Sequence, residues 1–240
     1  KGESLAFFSY NFQASRRLSL KTRIGLDWLQ YHLHGDNSFS QLSPRINTNV
    51  QYQLNKGMLL WSFNFVNSNH GMDVINRAMI QVNSHMMEKG MPELKKSHDI
   101  NTYLYYMGRF NRLSVSAIGQ FRYNHHLVTD DYYLDEANGK IVKTYSNGGN
   151  AQYYSAIFAL QYKLCKFANL SGDIRYSHAE VKTIWSKHNN NLTGNLGLNM
   201  FMGDFALKPY LHFGKKSLDE AALVINKTPI DYGMSCSYSR

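Results

Sequence analysis

The sequence predicts an all-β protein, an antiparallel up-and-down transmembrane β-barrel of which about eleven strands are visible. Three observations predict it. Apolar and polar residues alternate with period two through most of the chain. Several of these runs last about ten residues or more, against a usual strand of about 5–6; roughly 9–11 carry a tilted strand across a bilayer. The connections alternate short and long along the chain, and a soluble sandwich has no reason to sort its loops by parity.

The elements follow in order. Lys1-Gly2-Glu3 opens directly into strand-like sequence with no leader before it, as a fragment or processed chain would. Leu18, Leu20, Thr22, Ile24, Leu26 and Trp28 then alternate with Ser19, Lys21, Arg23, Gly25 and Asp27. In SPRINTNVQYQLNKGMLLWSFNF, residues 43–65, Ile46, Thr48, Val50, Tyr52 and Leu54 oppose Arg45, Asn47, Asn49, Gln51 and Gln53. Asn55-Lys56-Gly57 turns the chain, and Leu59, Trp61, Phe63 and Phe65 resume the pattern. Leu113, Val115, Ala117, Gly119, Phe121 and Tyr123 form a later stripe, broken on its polar side only by Ile118. Tyr154, Ala156, Phe158, Leu160 and Tyr162 form another, as do Leu192, Gly194, Leu196, Leu198, Met200 and Met202. Pro209 sits inside the run from Ala206 to Phe213, where a proline predicts a bulge or an edge; a bulge is the preferred reading. A short helix is expected at most in a loop, around Asp219 to Val224.

Short turns are expected at Ser15-Arg16-Arg17, Asn55-Lys56-Gly57, Asn111-Arg112, Cys165 to Asn169 and Gly203-Asp204. Long loops are expected from about His34 to Ser43, Asn67 to Ser97, Thr129 to Asn150 and Lys215 to Pro229, with Lys187 to Asn190 a shorter member of that set. On the barrel reading the short turns are periplasmic and the long loops extracellular.

The faces decide what the barrel meets. The polar face is mostly Asn, Gln, Ser, Thr and Gly, and charged residues make up only 18% of the chain, below the roughly 25% of a soluble domain. An uncharged polar face suits a water-filled lumen, and the apolar face then meets outer-membrane lipid. Closure satisfies every backbone group, as hydrocarbon demands. No run approaches the ~18 apolar residues of a membrane-spanning helix. The lumen-lining candidates are Arg45, Asn47, Asn49, Gln51, Gln53, Gln120, Arg122, Asn124, Asn195 and Asn199. Trp28, Tyr52, Trp61, Tyr123 and Trp185, near strand ends, are the lipid-interface aromatics.

Other motifs carry less chemistry. The net charge of +9 is scattered over turns and loops, so nucleic acid is not an expected partner. Cys165 and Cys236 match no metal spacing; two free thiols are the preferred reading and one disulfide the alternative. Asp130-Asp131, Asp219-Glu220 and His125-His126 are neighbours on an extended chain and point opposite ways, so they make poor catalytic or metal pairs. His178 and Glu180 lack the cysteines of a zinc deaminase, and Phe213-Gly214-Lys215-Lys216-Ser217 lacks the first glycine of a phosphate loop. The Asn-x-Ser/Thr triplets at Asn169, Asn191 and Asn226 would stay unmodified in a bacterial outer membrane. Met79, Met86, Met87 and Met91 cluster in a long loop that either packs on itself or adapts to a ligand. No metal, no cofactor and no enzymatic activity is expected.

Several segments resemble TonB-dependent outer-membrane transporters. GMPELKKSHDINTYLYY, residues 90–106, is similar to the family's G-N-P-x-L-K-P-E-x-S-H segment at Gly90, Pro92, Leu94, Lys95, Ser97 and His98; Met91 replaces Asn and Lys96 the second Pro. SPRINTNVQYQLNKG resembles its S-P-R strand opening, SNGGNAQYYSAIFALQY its N-x-G-N-A segment, and YGMSCSYSR a late barrel strand. The resemblance implies that residues 1–240 are a C-terminal part of a barrel of about 22 strands, with at least one strand before the first. It implies a plug domain outside this sequence, contact with the TonB energy-coupling complex through that plug, and energised uptake of a scarce solute, peptide or glycan. Alternatives are a passive porin-like channel, an outer-membrane enzyme using His32, His34 and Asp36, and a soluble lipocalin-like binder with an apolar interior.

Overall fold

The computed structural model describes residues 2–31, 39–68, 70–183, 186–219 and 224–238. The strands are β1 Gly2–Gln13, β2 Leu18–Tyr31, β3 Phe39–Leu54, β4 Gly57–Ser68, β5 Met79–Gln81, β6 Met86–Lys89, β7 Ser97–Phe110 and β8 Leu113–Asp135. They continue as β9 Lys140–Cys165, β10 Ala168–Lys182, β11 Ser186–Met202, β12 Phe205–Phe213, β13 Lys215–Asp219, β14 Val224–Thr228 and β15 Asp231–Tyr238. One helical turn, α1, spans Met72–Ile75. No described helix is long and apolar enough to cross a membrane.

Eleven strands pair in the order β1-β2-β3-β4-β7-β8-β9-β10-β11-β12-β15, each antiparallel to the next. This is the predicted up-and-down meander, with the predicted strand count. The short turns fall where alternation stops. Asn111 takes a positive φ of 54°, a conformation that asparagine tolerates and that the tight link between β7 and β8 requires. Gly203, at φ 60°, does the same between β11 and β12.

Register carries the apolar stripe across the whole sheet. Phe8 lies beside Ile24, and Ile24 beside Ile46. Val50 lies beside Trp61, Trp61 beside Leu104, and Leu104 beside Gly119. Ala117 lies beside Phe158, Phe158 beside Ile174, and Leu196 beside Leu211. Exposure separates the faces. Leu104, Phe158, Ile174 and Leu196 are about half exposed, whereas Asp27, Ser43, Ser62 and Ser155 on the polar face are nearly sequestered. Small polar side chains are hidden on the crowded concave side and large apolar ones stand free on the convex side. The described buried apolar clusters are only Leu29 with Ile75, and Leu127 with Ala151 and Val181. None of Ile46, Val50, Leu196 and Leu198 belongs to them, so the dry interior of a lipocalin-like binder is not built from these stripes.

Four expectations change. The segment from Thr129 to Asn150 is not a loop. β8 and β9 continue as a ladder to a turn at residues 136–139, through irregularities between His125 and Thr129. This hairpin projects about ten residues past His125, roughly 30 Å at the usual strand rise. The shorter loop expected at Lys187 to Asn190 lies inside β11. In the loop from Lys215 to Pro229, β13 and β14 pair from Lys215–Thr228 to Asp219–Val224. Asp219 and Val224, the expected helix limits, are therefore strand residues, and residues 220–223 lie outside the described ones. The helical turn is instead α1, in the β4–β7 connection.

Pro209 makes neither a bulge nor an edge. β12 lies between β11 and β15, and the β11–β12 register is the same on both sides of the proline, Gly197 with Tyr210 and Met200 with Leu207. Only the intervening pairs are missing, because proline has no N–H to donate. Pro209→Ile is expected to restore them. One recovered ladder bond is worth about 1 kcal/mol, which raises Tm by only about 1 °C in a calorimetric scan of the full-length protein, because the shift per kcal/mol shrinks as chain length grows.

Candidate functional site: the polar face and the loop across its rim

All ten residues read as lumen candidates lie on the polar face, in two groups. The first runs across β3, β4, β7 and β8, where Asn47, Asn64, Asn101 and Arg122 are successive register partners. Amides bond one another there: Asn49 Nδ2 donates to Asn47 Oδ1 at 2.8 Å, and Gln120 Nε2 to Asn101 Oδ1 at 3.1 Å. Gln53 turns to the chain, donating to the Gly57 carbonyl at 3.0 Å. Gln51 is exposed on the same face. Ser97 Oγ donates to the buried Asn124 Oδ1 at 2.7 Å.

Two arginines are held by carboxylates. Arg45 Nη2 meets Asp27 Oδ2 at 2.5 Å, and Arg122 Nε meets Asp99 Oδ2 at 2.7 Å. Asp27 is 2% exposed and Asp99 16%, while both arginine side chains remain 43% exposed. Each acid thus sits in the wall and each arginine side chain stays partly exposed, although Arg45 Nε is itself buried. Pairing leaves the arginines as hydrogen-bond donors and cancels most of their net charge. Sequence reading identified both arginines and missed both acids; Asp27 was visible on the polar side of its stripe.

The second group lies on β10, β11 and β12. Asn195 Nδ2 donates to both carboxylate oxygens of Asp173 at 2.9 Å, and His212 Nδ1 donates to Asn195 Oδ1. Beside this chain a hollow of about 460 Å³ is lined by Asn199, Lys208, Tyr210 and Pro209 among others. It opens where the proline interrupts the ladder.

The β4–β7 connection covers part of the polar face. Ile75 of α1, 1% exposed, packs on Leu29 of β2, which is on the polar-face parity. Further on, β6 runs parallel to β9, Met86 to Glu88 against Ile141 to Lys143. The loop therefore reaches two strands back and, past β7 and β8, forward to β9. Its halves are tied by Gly90 N donating to Asn76 O at 2.8 Å and Met91 N to Val74 O at 2.6 Å. Arg77 pairs with Glu93 at 2.6 Å. Tyr145 Oη donates to Glu88, and Lys143 lies 3.4 Å from Asp130 and 3.7 Å from Glu88. Burial alone would lower the Lys143 pKa, but Asp130, Tyr145 and Glu88 outweigh it and hold the ammonium above its ordinary range. The methionines split: Met86 and Met87 lie half-buried in β6, while Met79 and Met91 are exposed. The loop thus packs both on itself and on β9.

The aromatics divide by position. Trp28, Tyr52, Trp61 and Tyr123 are on the apolar face. Trp28 Nε1 donates to Ser40 Oγ at 2.7 Å and Trp61 Nε1 to Thr102 Oγ1 at 3.0 Å. Trp61 sits four residues in from the start of β4 rather than at a strand end. Trp185 lies outside the described residues, as do His32, His34 and Asp36. His125 and His126 do not diverge: both rings lie together with His98, a consequence of a backbone irregularity that spacing cannot show. Both cysteines are free.

No protein-family model matches the chain, and no curated protein is similar to it. Solved structures are similar over nearly its whole length. The copper transporter OprC aligns at TM-score 0.75 and 11% identity, covering 98% of this chain and 40% of its own. The siderophore receptor PirA from Pseudomonas aeruginosa aligns at 0.74 and 11%, covering 99% and 42%. The FrpB iron transporter from Neisseria meningitidis aligns at 0.64 and 9%, covering 98% and 37%. The chain spans about two fifths of the length of these proteins. Eleven meandering strands, one apolar face and one polar face thus have the barrel-wall fold of TonB-dependent outer-membrane receptors, the family that its segments resemble.

Proposed function

We propose that this chain is part of the barrel of a TonB-dependent outer-membrane transporter that takes up a scarce solute with energy. One observation supports the reading most. The sheet presents a continuous apolar face and a continuous polar face, in a meander that aligns with receptor barrels over 98–99% of its length. On this reading the apolar face meets outer-membrane lipid. The ten polar-face residues line the bore, hydrating it or steadying a plug, and the plug carries the contact to TonB. The loop from β4 to β7 and the β8–β9 hairpin stand on the extracellular side, where they meet the solute first. The similar proteins are named for copper, siderophores and iron, so a metal ion or its chelate is the first solute class to test.

The test uses the full-length protein in cells that lack other uptake routes for the chosen solute. Accumulation that stops when the proton gradient is collapsed is the expected result. Uptake that persists without the gradient, or free solute leakage through the protein in liposomes, overturns the reading in favour of a passive channel.

A further inference from the structure

On an ideal strand, His125 and His126 would face opposite ways. His126 takes φ 56°, and the β8–β9 register shifts between His125 and Leu127. The extra residue brings its ring to the side of its neighbour: the two ring centroids are 3.9 Å apart. His98, beside His125 in register, lies 6.1 Å from His125 and 5.8 Å from His126. His98 stacks on Phe65 at 6.3 Å and His125 on Tyr123 at 6.2 Å, both residues of the apolar stripe. Three imidazoles therefore stand on the convex face, one row beyond its aromatic edge. They are about a dozen residues from the short turn, past the roughly 9–11 that cross a bilayer.

Their hydrogen bonds leave one nitrogen of each ring available. His98 Nδ1 pairs with Asn67 Oδ1 and His125 Nδ1 with Asn150 Oδ1, each at 2.6 Å; an amide oxygen only accepts, so these Nδ1 atoms carry the proton. His126 Nδ1 donates to the Lys96 carbonyl at 3.2 Å. No described group bonds the three Nε2 atoms. Each becomes a second N–H donor when its ring is protonated.

The surrounding charges leave room for an anion. Lys96 adds a positive charge from the β6–β7 connection, its ammonium donating one of its three N–H groups to the Leu42 carbonyl. Asp99, next along β7, faces the other side and is paired with Arg122. On β10, Glu180 is paired with Lys182 at 3.1 Å. Asn67 on β4 and Asn150 on β9 are neutral. Burial, then His126, His125 and Lys96, hold the His98 pKa below its ordinary value. The folded protein therefore binds this proton less readily than the unfolded chain, and stability falls as pH drops through about 6.5 unless a negative charge offsets it. A metal is not the fit, since no described group of three His, Cys, Asp or Glu side chains is arranged to hold one.

We infer that His98, His125 and His126, with Lys96, form a site for the phosphate-bearing headgroup of a lipid in the surrounding leaflet, engaged as the imidazoles take up protons. The inference rests on the reading that the convex face meets lipid. The test places full-length protein in phosphatidylcholine nanodiscs doped with phosphatidic acid, and measures the lipid retained around it. At about pH 5.5 phosphatidic acid is expected to be enriched on the order of tenfold, and at about pH 8 the preference is lost. The triple variant H98Q/H125Q/H126Q loses it at both, and the single variant H126Q, which leaves both Asn-bonded rings in place, loses about half of it in logarithmic measure. Equal enrichment at both pH values, or enrichment kept by either variant, overturns the site. So does inorganic phosphate binding as tightly in undoped discs, which assigns the rings to a soluble anion. Protein that enters both discs and ignores the headgroup overturns this inference alone; protein that enters neither overturns the lipid reading with it.

Discussion

Leu104→Arg is expected to cost about 2–4 kcal/mol in folding into lipid, the penalty for a cation at the midplane of a barrel's outer face. Leu104 is the residue to choose because its row is apolar on both sides, Trp61 on β4 and Gly119 on β8, and because it is 49% exposed. Its counterpart is Gln120→Arg, one residue from Gly119 but on the polar face, where Asn101 and Ser155 are its neighbours. That change is expected to cost less than about 1 kcal/mol, because the new charge stays in water. Urea titration of full-length protein folding into vesicles measures both. Equal penalties would mean that the faces are not divided between lipid and water, and would remove the basis of the proposed function.

Gly90→Val is expected to release the loop without unfolding the sheet. A Cβ at residue 90 would sit 2.5 Å from both the nitrogen and the oxygen of Asn76 and 2.7 Å from the Val74 oxygen. All three are backbone atoms, so no side chain can swing away. Overpacking of this kind costs about 1–3 kcal/mol, and here it falls on the two hydrogen bonds that join the halves of the loop. Hydrogen exchange is expected to quicken by about tenfold or more for residues 74–91 while β7 and β8 keep their protection. Unchanged exchange in the loop would show that the β6–β9 pairing, and not the Gly90 closure, holds it down.

The sheet was legible in sequence because alternation is a local signal and each face has its own solvent. The strand count, the side of each candidate polar residue and the short turns followed from period two alone. The upper half of β8 and β9 was not legible: Thr129 to Asn150 mixes Asp, Tyr, Asn and Gly, and its buried positions, Val142 and Tyr145, are covered by β6, which is distant in sequence, so no period-two stripe marks them. The reach of the loop from Leu29 to β9 was hidden because it rests on contacts between residues far apart in sequence. The grouping of His98, His125 and His126 was hidden by one φ angle. Adjacent side chains diverge on an ideal strand and not at a bulge, and a His-His pair does not announce one. Pro209 departs from the commonest setting of a strand proline: the cross-strand pairs around it keep their order without the missing N–H.

The meander leaves two selvedges. β1 is bonded only to β2 and β15 only to β12 among the described residues. Twelve residues of β1 and eight of β15 thus offer open rows of peptide groups, each a template for another strand. A polypeptide of just these 240 residues, made by itself in water, is expected to zip edge to edge into fibrous or amorphous aggregates rather than stay dispersed. In the longer protein proposed above, the neighbouring staves must be in place before the ring can shut, which makes assembly a matter for the whole circumference at once.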